Sequence, residues 1–421
     1  MNKYKKEILS NKIKVLTVPI PGAKTVTTLL IFKTGSKYET RNNNGISHFL
    51  EHMFFKGTKK RPDTATISSD LDSLGSEFNA FTTKEFTGYW VKVALAKFKP
   101  ALNILSDMLL NSLITTEEID RECGVIIEEL NMYEDNPLMH IEDIFESCLY
   151  GDTPAGWDTI GTKENIKGFK REDFIKYLTS QYGSDSLYVV FAGNIKKTDK
   201  QAALKLLGGF RGNKWQNKIK VIEKQVKPQV KSLFKNIDQV NLSLGVRTCA
   251  VGNPEEFKLR LLSVILGGAM SSRLFIRLRE RNGLAYTVRT LTEFYSDSGY
   301  LTTQAGVPAD KVTPAIKIVL EEYKRLTHEL ISDKELKRAK DLFIGRALLQ
   351  MEGSDDVANW YGRQTILRNK IITPGEFLKI IKKISSKDLQ KTAQKYFVNK
   401  GLNLALIGKV KGESFKSILK F

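Results

Sequence analysis

The order of apolar and polar residues divides the chain into strand-like and helix-like segments. Residues 12–20, 25–34 and 187–195 are rich in β-branched and apolar side chains, which predicts strands, and turn residues between the first two predict a hairpin. Residues 96–113 and 116–133 carry apolar residues at helical spacing. Strands therefore alternate with helices too long to belong to an all-β fold.

The second half of the chain repeats the first. Asp173 and Asp388 are separated by 215 residues, as are Gly193 and Gly408, and both pairs lie in similar helix-to-strand sequence. This constant offset predicts two copies of one α+β fold, each a mainly antiparallel sheet covered by helices. The predicted parts are an N-terminal domain over 1–214, a lysine-rich linker over 215–231 and a C-terminal domain over 232–421.

In the C-terminal domain, strands and long helices alternate in the same way. The pattern predicts strands over 240–246, 286–292 and 300–307, and helices over 255–266, 310–330 and 333–350. In the N-terminal domain it also predicts a helix beginning near 62 and ending near 75, followed by one or two strands over 77–93.

Composition and charge narrow the functional classes. Of the 421 residues, 41% are hydrophobic and 27% are charged, as in a soluble globular protein, and no apolar run is long enough to span a membrane. The formal net charge of +19 comes from lysines and arginines spread along the chain, without a recognised nucleic-acid module. We therefore expect a lysine-rich solvated surface, and neither a nucleic acid nor a membrane partner.

Three cysteines, Cys123, Cys148 and Cys249, lie far apart without metal-ligand spacing. A sparse, odd number of cysteines is typical of buried thiols in a reducing compartment. The N-terminal residues show no apolar signal-peptide core. A cytoplasmic location is the expectation.

The strongest chemical signal is the stretch His48-Phe49-Leu50-Glu51-His52. Residues four apart share one face of a helix, so both imidazoles can reach a single metal ion, and Glu51 lies close enough to accept the proton of a metal-bound water. Imidazole suits zinc, and catalytic zinc usually takes three protein ligands and one water. The alternative is a pair of core histidines without a metal.

A third ligand must come from another element. His140 and His328 lie in charged helical sequence, where we expect surface residues. Glu122 and Glu129 are seven apart, two turns along one face of a predicted helix. Spacing alone leaves their role open, because carboxylates on helices are usually solvated.

The metal helix and the segment that follows it, Phe55-Lys56-Gly57-Thr58, resemble the signature of the pitrilysin-type metallopeptidases, or inverzincins. That family includes the mitochondrial processing peptidase and insulin-degrading enzyme. The resemblance implies that Glu129, 77 residues after His52, is the third zinc ligand. It also implies that Glu122 is a supporting carboxylate that orients a ligand.

Further segments match the family in order along the chain. The resemblance implies that the edge strand Asn79-Ala80-Phe81-Thr82 binds substrate as an added β-strand. In the second half, it implies that Arg279 and Tyr286 bind the substrate backbone and stabilise the oxyanion. Arg277 and Arg281 are the alternatives to Arg279. One departure is Ala269, which stands where many relatives carry glycine.

The implied activity is zinc-dependent hydrolysis of unfolded peptides or short protein segments, with Glu51 as general acid and base. Relatives build a closed chamber from four copies of this domain, which predicts a clamshell dimer for a chain of this length. Because the chain carries both the zinc set and the Arg279/Tyr286 pair, we expect a homodimer. The alternatives are a heterodimer with a metal-free sister subunit, and a non-catalytic or partner-dependent subunit.

The second half lacks its own ligands. Adding the repeat offset to His48 and His52 gives Ser263 and Gly267, neither of which can hold zinc. We therefore expect a single metal site per chain.

Overall fold

The computed structural model describes residues 4–212 and 215–421, which form two compact units. The first comprises the described residues of Met1–Leu130, Asp158–Ile219 and Leu348–Pro374. The second comprises Asn131–Trp157, Lys220–Ala347 and Gly375–Phe421. The predicted domain ends at residues 1 and 214 lie outside the described residues, and the linear boundaries stay a prediction.

The strands build two sheets. In the described part of the chain they are β1 (Lys5–Ile8), β2 (Lys14–Val18), β3 (Thr25–Phe32), β4 (Glu77–Thr82), β5 (Thr87–Ala94), β6 (Leu187–Gly193), β7 (Gln229–Phe234), β8 (Gln239–Arg247), β9 (Val288–Phe294), β10 (Gly299–Pro308) and β11 (Leu402–Gly408). The first sheet has the order β1-β2-β6-β3-β5-β4, and the second β7-β11-β8-β10-β9. Among these described strands, only the pairs β2–β6 and β7–β11 are parallel, so both sheets are mainly antiparallel as predicted.

Helices cover these sheets. Within the described residues they are α1 (Ile46–Met53), α2 (Thr64–Asp72), α3 (Phe98–Asn111), α4 (Thr116–Asp135), α5 (Pro137–Tyr150), α6 (Lys163–Gly168), α7 (Arg171–Gln181), α8 (Lys197–Leu207), α9 (Glu256–Gly267), α10 (Val312–His328), α11 (Asp333–Leu349), α12 (Ser354–Leu367), α13 (Pro374–Lys383) and α14 (Ser386–Tyr396). A π-helical segment spans Phe275–Arg281. The predicted α+β architecture is confirmed.

The predicted hairpin of residues 12–20 and 25–34 is wrong. Both strands exist, but β6 lies between them, parallel to β2 and antiparallel to β3. Every residue of β6 is buried, and a strand without polar positions is most stable in the centre of a sheet, paired on both edges. β2 instead forms its antiparallel pair with β1, which the sequence pattern did not indicate.

The predicted internal repeat is visible in the topology. Strands β6 and β11 occupy equivalent central places in their sheets, and each ends in a glycine with φ of +145°. At Gly193 an added Cβ would lie 2.8 Å from the Thr25 carbonyl oxygen, so both the conformation and the space exclude a side chain.

Each unit contains one helix from the other half of the chain. Helix α12 packs on the first sheet, where its Val357 and Tyr361 are buried against Leu29, Ile31 and Val190. Helix α5 packs on the second sheet in the same way. The hydrophobic core of each unit therefore depends on both halves of the sequence.

No helix in the described ranges is long and apolar enough to cross a membrane.

Candidate metal centre and active site

Helix α1 begins at a buried carboxylate rather than at a serine or threonine cap. Glu39 is 2% exposed, and its two oxygens accept the backbone N–H groups of Ser47 and Gly45, both at 2.8 Å. Burial raises the pKa of Glu39. The hydrogen bonds from Gly45 and Ser47 favour the charged form and offset part of this rise. These bonds satisfy N–H groups that the start of a helix leaves free.

Gly45, which precedes α1, has φ of +101°, and a Cβ there would lie 2.3 Å from the Ile160 carbonyl oxygen. Only glycine fits this combination of left-handed backbone and close approach. The turn directs α1 so that His48 and His52 project from one face, with ring centroids 4.7 Å apart.

The two histidines meet Glu129, which α4 contributes. The Glu129 Oε2 atom lies 3.6 Å from His48 Nε2 and 3.5 Å from His52 Nε2. Among the residues that the structure describes, these three form the one group of His, Cys, Asp and Glu side chains spaced to hold a metal ion. A tetrahedral zinc with bonds of about 2.1 Å separates its ligand atoms by about 3.4 Å, so the residues present fit zinc.

Two shifts in pKa reflect this proximity. Burial alone would lower the pKa of His48, but the nearby Glu129 carboxylate raises it above its usual value. The proximity of His48 lowers the pKa of Glu129. Both shifts have the same cause, the short distance between the Glu129 carboxylate and the His48 imidazole.

Glu122 orients His52 from behind. Its Oε1 lies 2.8 Å from His52 Nδ1, and its Oε2 lies 2.5 Å from the Lys56 ammonium. Burial alone would raise the pKa of Glu122, but hydrogen bonds from His52 and Lys56 lower it below its usual value. The Glu122 carboxylate therefore stays charged. A carboxylate that accepts from Nδ1–H leaves the lone pair of Nε2 free for a metal.

Glu51 lies beside the ligands without being one of them. It is half-buried, and the Thr82 hydroxyl donates to its Oε2 at 2.5 Å. Burial raises the pKa of the Glu51 carboxyl, while Thr82 and the two histidines act against this. A carboxylate with a raised pKa suits proton transfer near neutral pH.

The four predicted edge-strand residues lie in β4, at one edge of the first sheet. They divide between its two faces, because side chains alternate along a strand. Thr82 contacts Glu51 of α1, whereas the Phe81 ring lies on the opposite face, 6.0 Å from the ring of Phe86. The Asn79 side chain accepts the backbone N–H of Ala80 at 2.8 Å. A substrate role for the four residues stays a prediction.

Arg279 and Tyr286 come together in the second unit. The Arg279 guanidinium lies 4.8 Å from the centre of the Tyr286 ring and donates to the Tyr286 carbonyl oxygen at 3.0 Å. The Tyr286 side chain is available for contact, since the residue is 72% exposed. The neighbouring Arg277 is engaged with Glu321 and Glu322. The substrate role of the pair stays a prediction.

The second unit has no counterpart of the two histidines. Helix α9 carries Ser263 and Gly267 at the equivalent positions, and a Cβ at Gly267 would lie 2.3 Å from the Thr290 hydroxyl. Strand β9 therefore approaches this helix too closely for a ligand side chain.

Sequence reasoning missed three residues that shape the centre: Glu39, Lys56 and Thr82 as the partner of Glu51. Lys56 follows His52 by four residues, which is a usable signal for a shared partner. Glu39 and Thr82 lack such a signal, because their partners lie on other elements.

Two domains of one peptidase family match successive parts of the chain. Residues 14–163 match insulinase (peptidase family M16), and residues 168–343 match the peptidase M16 inactive domain. A protein of Rickettsia felis named an uncharacterised zinc protease is 35% identical over 390 residues, which cover 92% of this chain and 94% of its own length. A protein of Bacillus subtilis with a similar name is 31% identical over 394 residues, covering 93% and 95%.

Solved structures share the fold. A protease from Helicobacter pylori superposes with a TM-score of 0.91 at 21% identity, over 97% of this chain and all 100% of that one. A peptidase M16 inactive domain from Pseudomonas fluorescens gives 0.89 at 17% identity, over 97% and 99%. At these identities the likeness concerns the fold alone.

Proposed function

Because the chain belongs to peptidase family M16, the insulinase or pitrilysin type, we propose that it is a zinc-dependent endopeptidase acting on unfolded peptides or short protein segments. The observation that carries the proposal is the group of His48, His52 and Glu129 with Glu51 beside it. A metal site next to a carboxylate that is not itself a ligand has the parts needed to hydrolyse a peptide bond.

His48, His52 and Glu129 would hold the zinc, and Glu122 would keep His52 in the tautomer that binds it. When bound, zinc supplies a Lewis acid that polarises a carbonyl and makes water a better nucleophile. Glu51 then takes the proton of the attacking water and delivers it to the leaving amine. Its raised pKa favours this double role.

An extended peptide would bind along β4. The strand lies at the edge of its sheet, so backbone groups on its outer side can pair with an added strand. Pairing of this kind recognises the backbone and demands little of the peptide sequence, but it requires an unfolded substrate.

The test is cleavage of a library of quenched fluorescent peptides by the purified protein. We expect cleavage that stops with a chelator and returns with added zinc, and no cleavage of a folded protein that contains the same sequences. As a control, the variant Glu128→Gln should cleave like the wild type. Glu128 is an exposed neighbour of Glu129 that lies outside the metal group. Cleavage that persists in chelator would contradict the proposal.

A second candidate is a non-catalytic or partner-dependent subunit. The match of residues 168–343 to an M16 inactive domain favours it. The complete ligand set in the first unit favours catalysis instead. Zinc bound at about one ion per chain, with cleavage seen only after a sister subunit is added, would establish the second candidate.

We propose further that the chain is a homodimer whose zinc site is completed by Arg279 and Tyr286 of the partner subunit. The proposal is supported by the presence of both sets in one sequence. It is tested by mixing two inactive variants, Glu51→Gln and Arg279→Ala, under conditions that exchange subunits. Because each mixed dimer has one intact site, activity should return to about one quarter of the wild-type value. No recovery in proven mixed dimers would contradict completion in trans.

We also propose a cytoplasmic location. Cys123, Cys148 and Cys249 are all free, as is usual in a reducing compartment. Fractionation of cells with an antibody to the protein tests this directly, and recovery outside the cytoplasmic fraction would contradict it.

A further inference from the structure

The hydrogen bond between Thr82 and Glu51 links the edge strand to the general base. We propose that Thr82 is a positioning residue, which holds the Glu51 carboxylate in the orientation required for proton transfer and outside the metal's ligand set. The inference rests on the proposed function, since it assigns the residue that makes Glu51 effective.

The contact is specific. Among the described residues, the Thr82 hydroxyl is the one hydrogen-bond donor to the Glu51 carboxylate, at 2.5 Å. The Thr82 hydroxyl donates to Oε2, which leaves Oε1 to accept the proton of the attacking water. A single short bond to a charged acceptor fixes the rotation of a carboxylate that would otherwise turn freely.

Thr82 is itself held in place. It is the last residue of β4 and pairs with Thr87, the first residue of β5. Directly after it, the Thr83 backbone N–H and hydroxyl both bond to the Phe86 carbonyl oxygen, at 2.9 and 2.8 Å. Thr87 is fully buried and donates to the Thr34 carbonyl oxygen. The hydroxyl therefore projects from a rigid turn.

Glu51 needs such a restraint because of where it lies. It precedes His52 directly and lies on the same helix as both histidines. Nevertheless it is outside the metal group, in which the ligand atoms of His48, His52 and Glu129 lie within 4.8 Å of one another. A freed carboxylate would turn towards the cation and lose the position from which it serves as a base.

Strand β4 then positions both the substrate and the general base. If β4 pairs with the substrate backbone, the strand that positions the scissile bond also positions the base. Small shifts of the reacting groups reduce rates strongly, so a shared support is an effective way to keep both in register.

The test compares Thr82→Val, which removes only the hydroxyl, with Thr82→Ser, which keeps it. We expect Thr82→Val to lower kcat about 10- to 100-fold with KM changed by less than about threefold. Thr82→Ser should recover most of that loss. The inference is overturned if Thr82→Val keeps the wild-type kcat, or if Thr82→Ser loses as much as Thr82→Val.

A second readout requires no turnover. Cobalt(II) in place of zinc gives an absorption spectrum that reports its coordination. Thr82→Val should change this spectrum, and the change should vanish in a Glu51→Ala background, because it acts through Glu51. Thr82→Ser, which keeps the hydroxyl, should leave the spectrum unchanged. Identical spectra for wild type and Thr82→Val would also overturn the inference.

The two arms separate the possible failures. If the wild-type protein does not cleave peptides, the proposed function is wrong, while the cobalt spectra still decide whether Thr82 restrains Glu51. If the wild type cleaves and Thr82→Val behaves like it in both assays, only the role of Thr82 is wrong.

Discussion

The orientation of His52 depends on Glu122, which accepts from its Nδ1 while paired with Lys56. Glu122→Gln keeps the shape but removes the charge that stabilises the Nδ1–H tautomer. We expect zinc affinity to fall about 10- to 100-fold, measured by competition with a chelator of known affinity. Glu128→Gln, which removes an exposed carboxylate of the same helix, should bind zinc like the wild type. Equal affinities for both variants would show that Glu122 has no orienting role.

Protons compete with the metal for the same atoms. The Glu129 carboxylate raises the pKa of His48, so the metal-free site takes up a proton at a higher pH than an ordinary histidine would. That proton stabilises the metal-free protein below the ordinary histidine pKa, and the benefit disappears as the pH rises through the raised value. We therefore expect zinc affinity to increase between about pH 6 and 8, with proton release on binding. Calorimetry in buffers of different ionisation enthalpy measures this, and zinc uptake without proton release would contradict it.

The sequence predicts those residues of the metal centre that lie close together in the chain. His48, Glu51 and His52 lie on one helix, so a spacing of four residues is enough to identify them. Glu129 required the family resemblance, because the sequence does not show which face of α4 approaches α1. Thr82 contacts Glu51 across 31 residues of chain, and only tertiary structure reveals that bond.

Among the secondary-structure elements, the start of α1 is the most constrained. Gly45→Ala places a methyl group against the Ile160 carbonyl oxygen and forces alanine to a φ of +101°. We expect it to lower the free energy of unfolding by about 3 kcal/mol or more, measured by urea denaturation, and to weaken zinc binding.

Gly75 provides the matched control for this substitution. It also has a positive φ, +62°, but an added Cβ there would meet nothing within 4 Å. Gly75→Ala should therefore cost only the backbone strain, about 1–2 kcal/mol, and leave zinc binding intact. Equal effects of the two substitutions would indicate that the approach of Ile160 to α1 is unimportant.

Most helices and strands follow from the periodicity of the sequence, including β8, β10, α10 and α11, whose ends lie within about two residues of those predicted. The hairpin was wrong because strand pairing is not a local property. The turn at 21–24 favours β2–β3 pairing, but the fully buried β6 pairs with both strands and separates them.

At the scale of the whole molecule, the exchange of α5 and α12 makes the two halves of the sequence interdependent. A fragment of residues 1–219 lacks α12, so Leu29, Ile31 and Val190 lose their cover. We expect this fragment alone to be poorly soluble and unable to bind zinc. Co-expression with residues 220–421 should restore a soluble, zinc-binding complex.

A cleavable version of the same protein provides the control. A protease site inserted between residues 222 and 226 lets the chain be cut after folding, and the halves should then elute together with their zinc in gel filtration. Separation of the halves without denaturant would contradict the interdependence. The constant repeat offset predicted two copies of one fold, but it carries no information about which sheet a helix covers.

The central claim is that Glu51 performs proton transfer at a zinc site made by His48, His52 and Glu129. The most direct measurement is peptide cleavage by wild type and Glu51→Gln, with zinc determined on both samples. The account predicts about one zinc per chain in each, and cleavage by the wild type alone, with the variant slowed at least about 100-fold. Equal cleavage by both proteins, or a wild type that cleaves without zinc, would contradict the account.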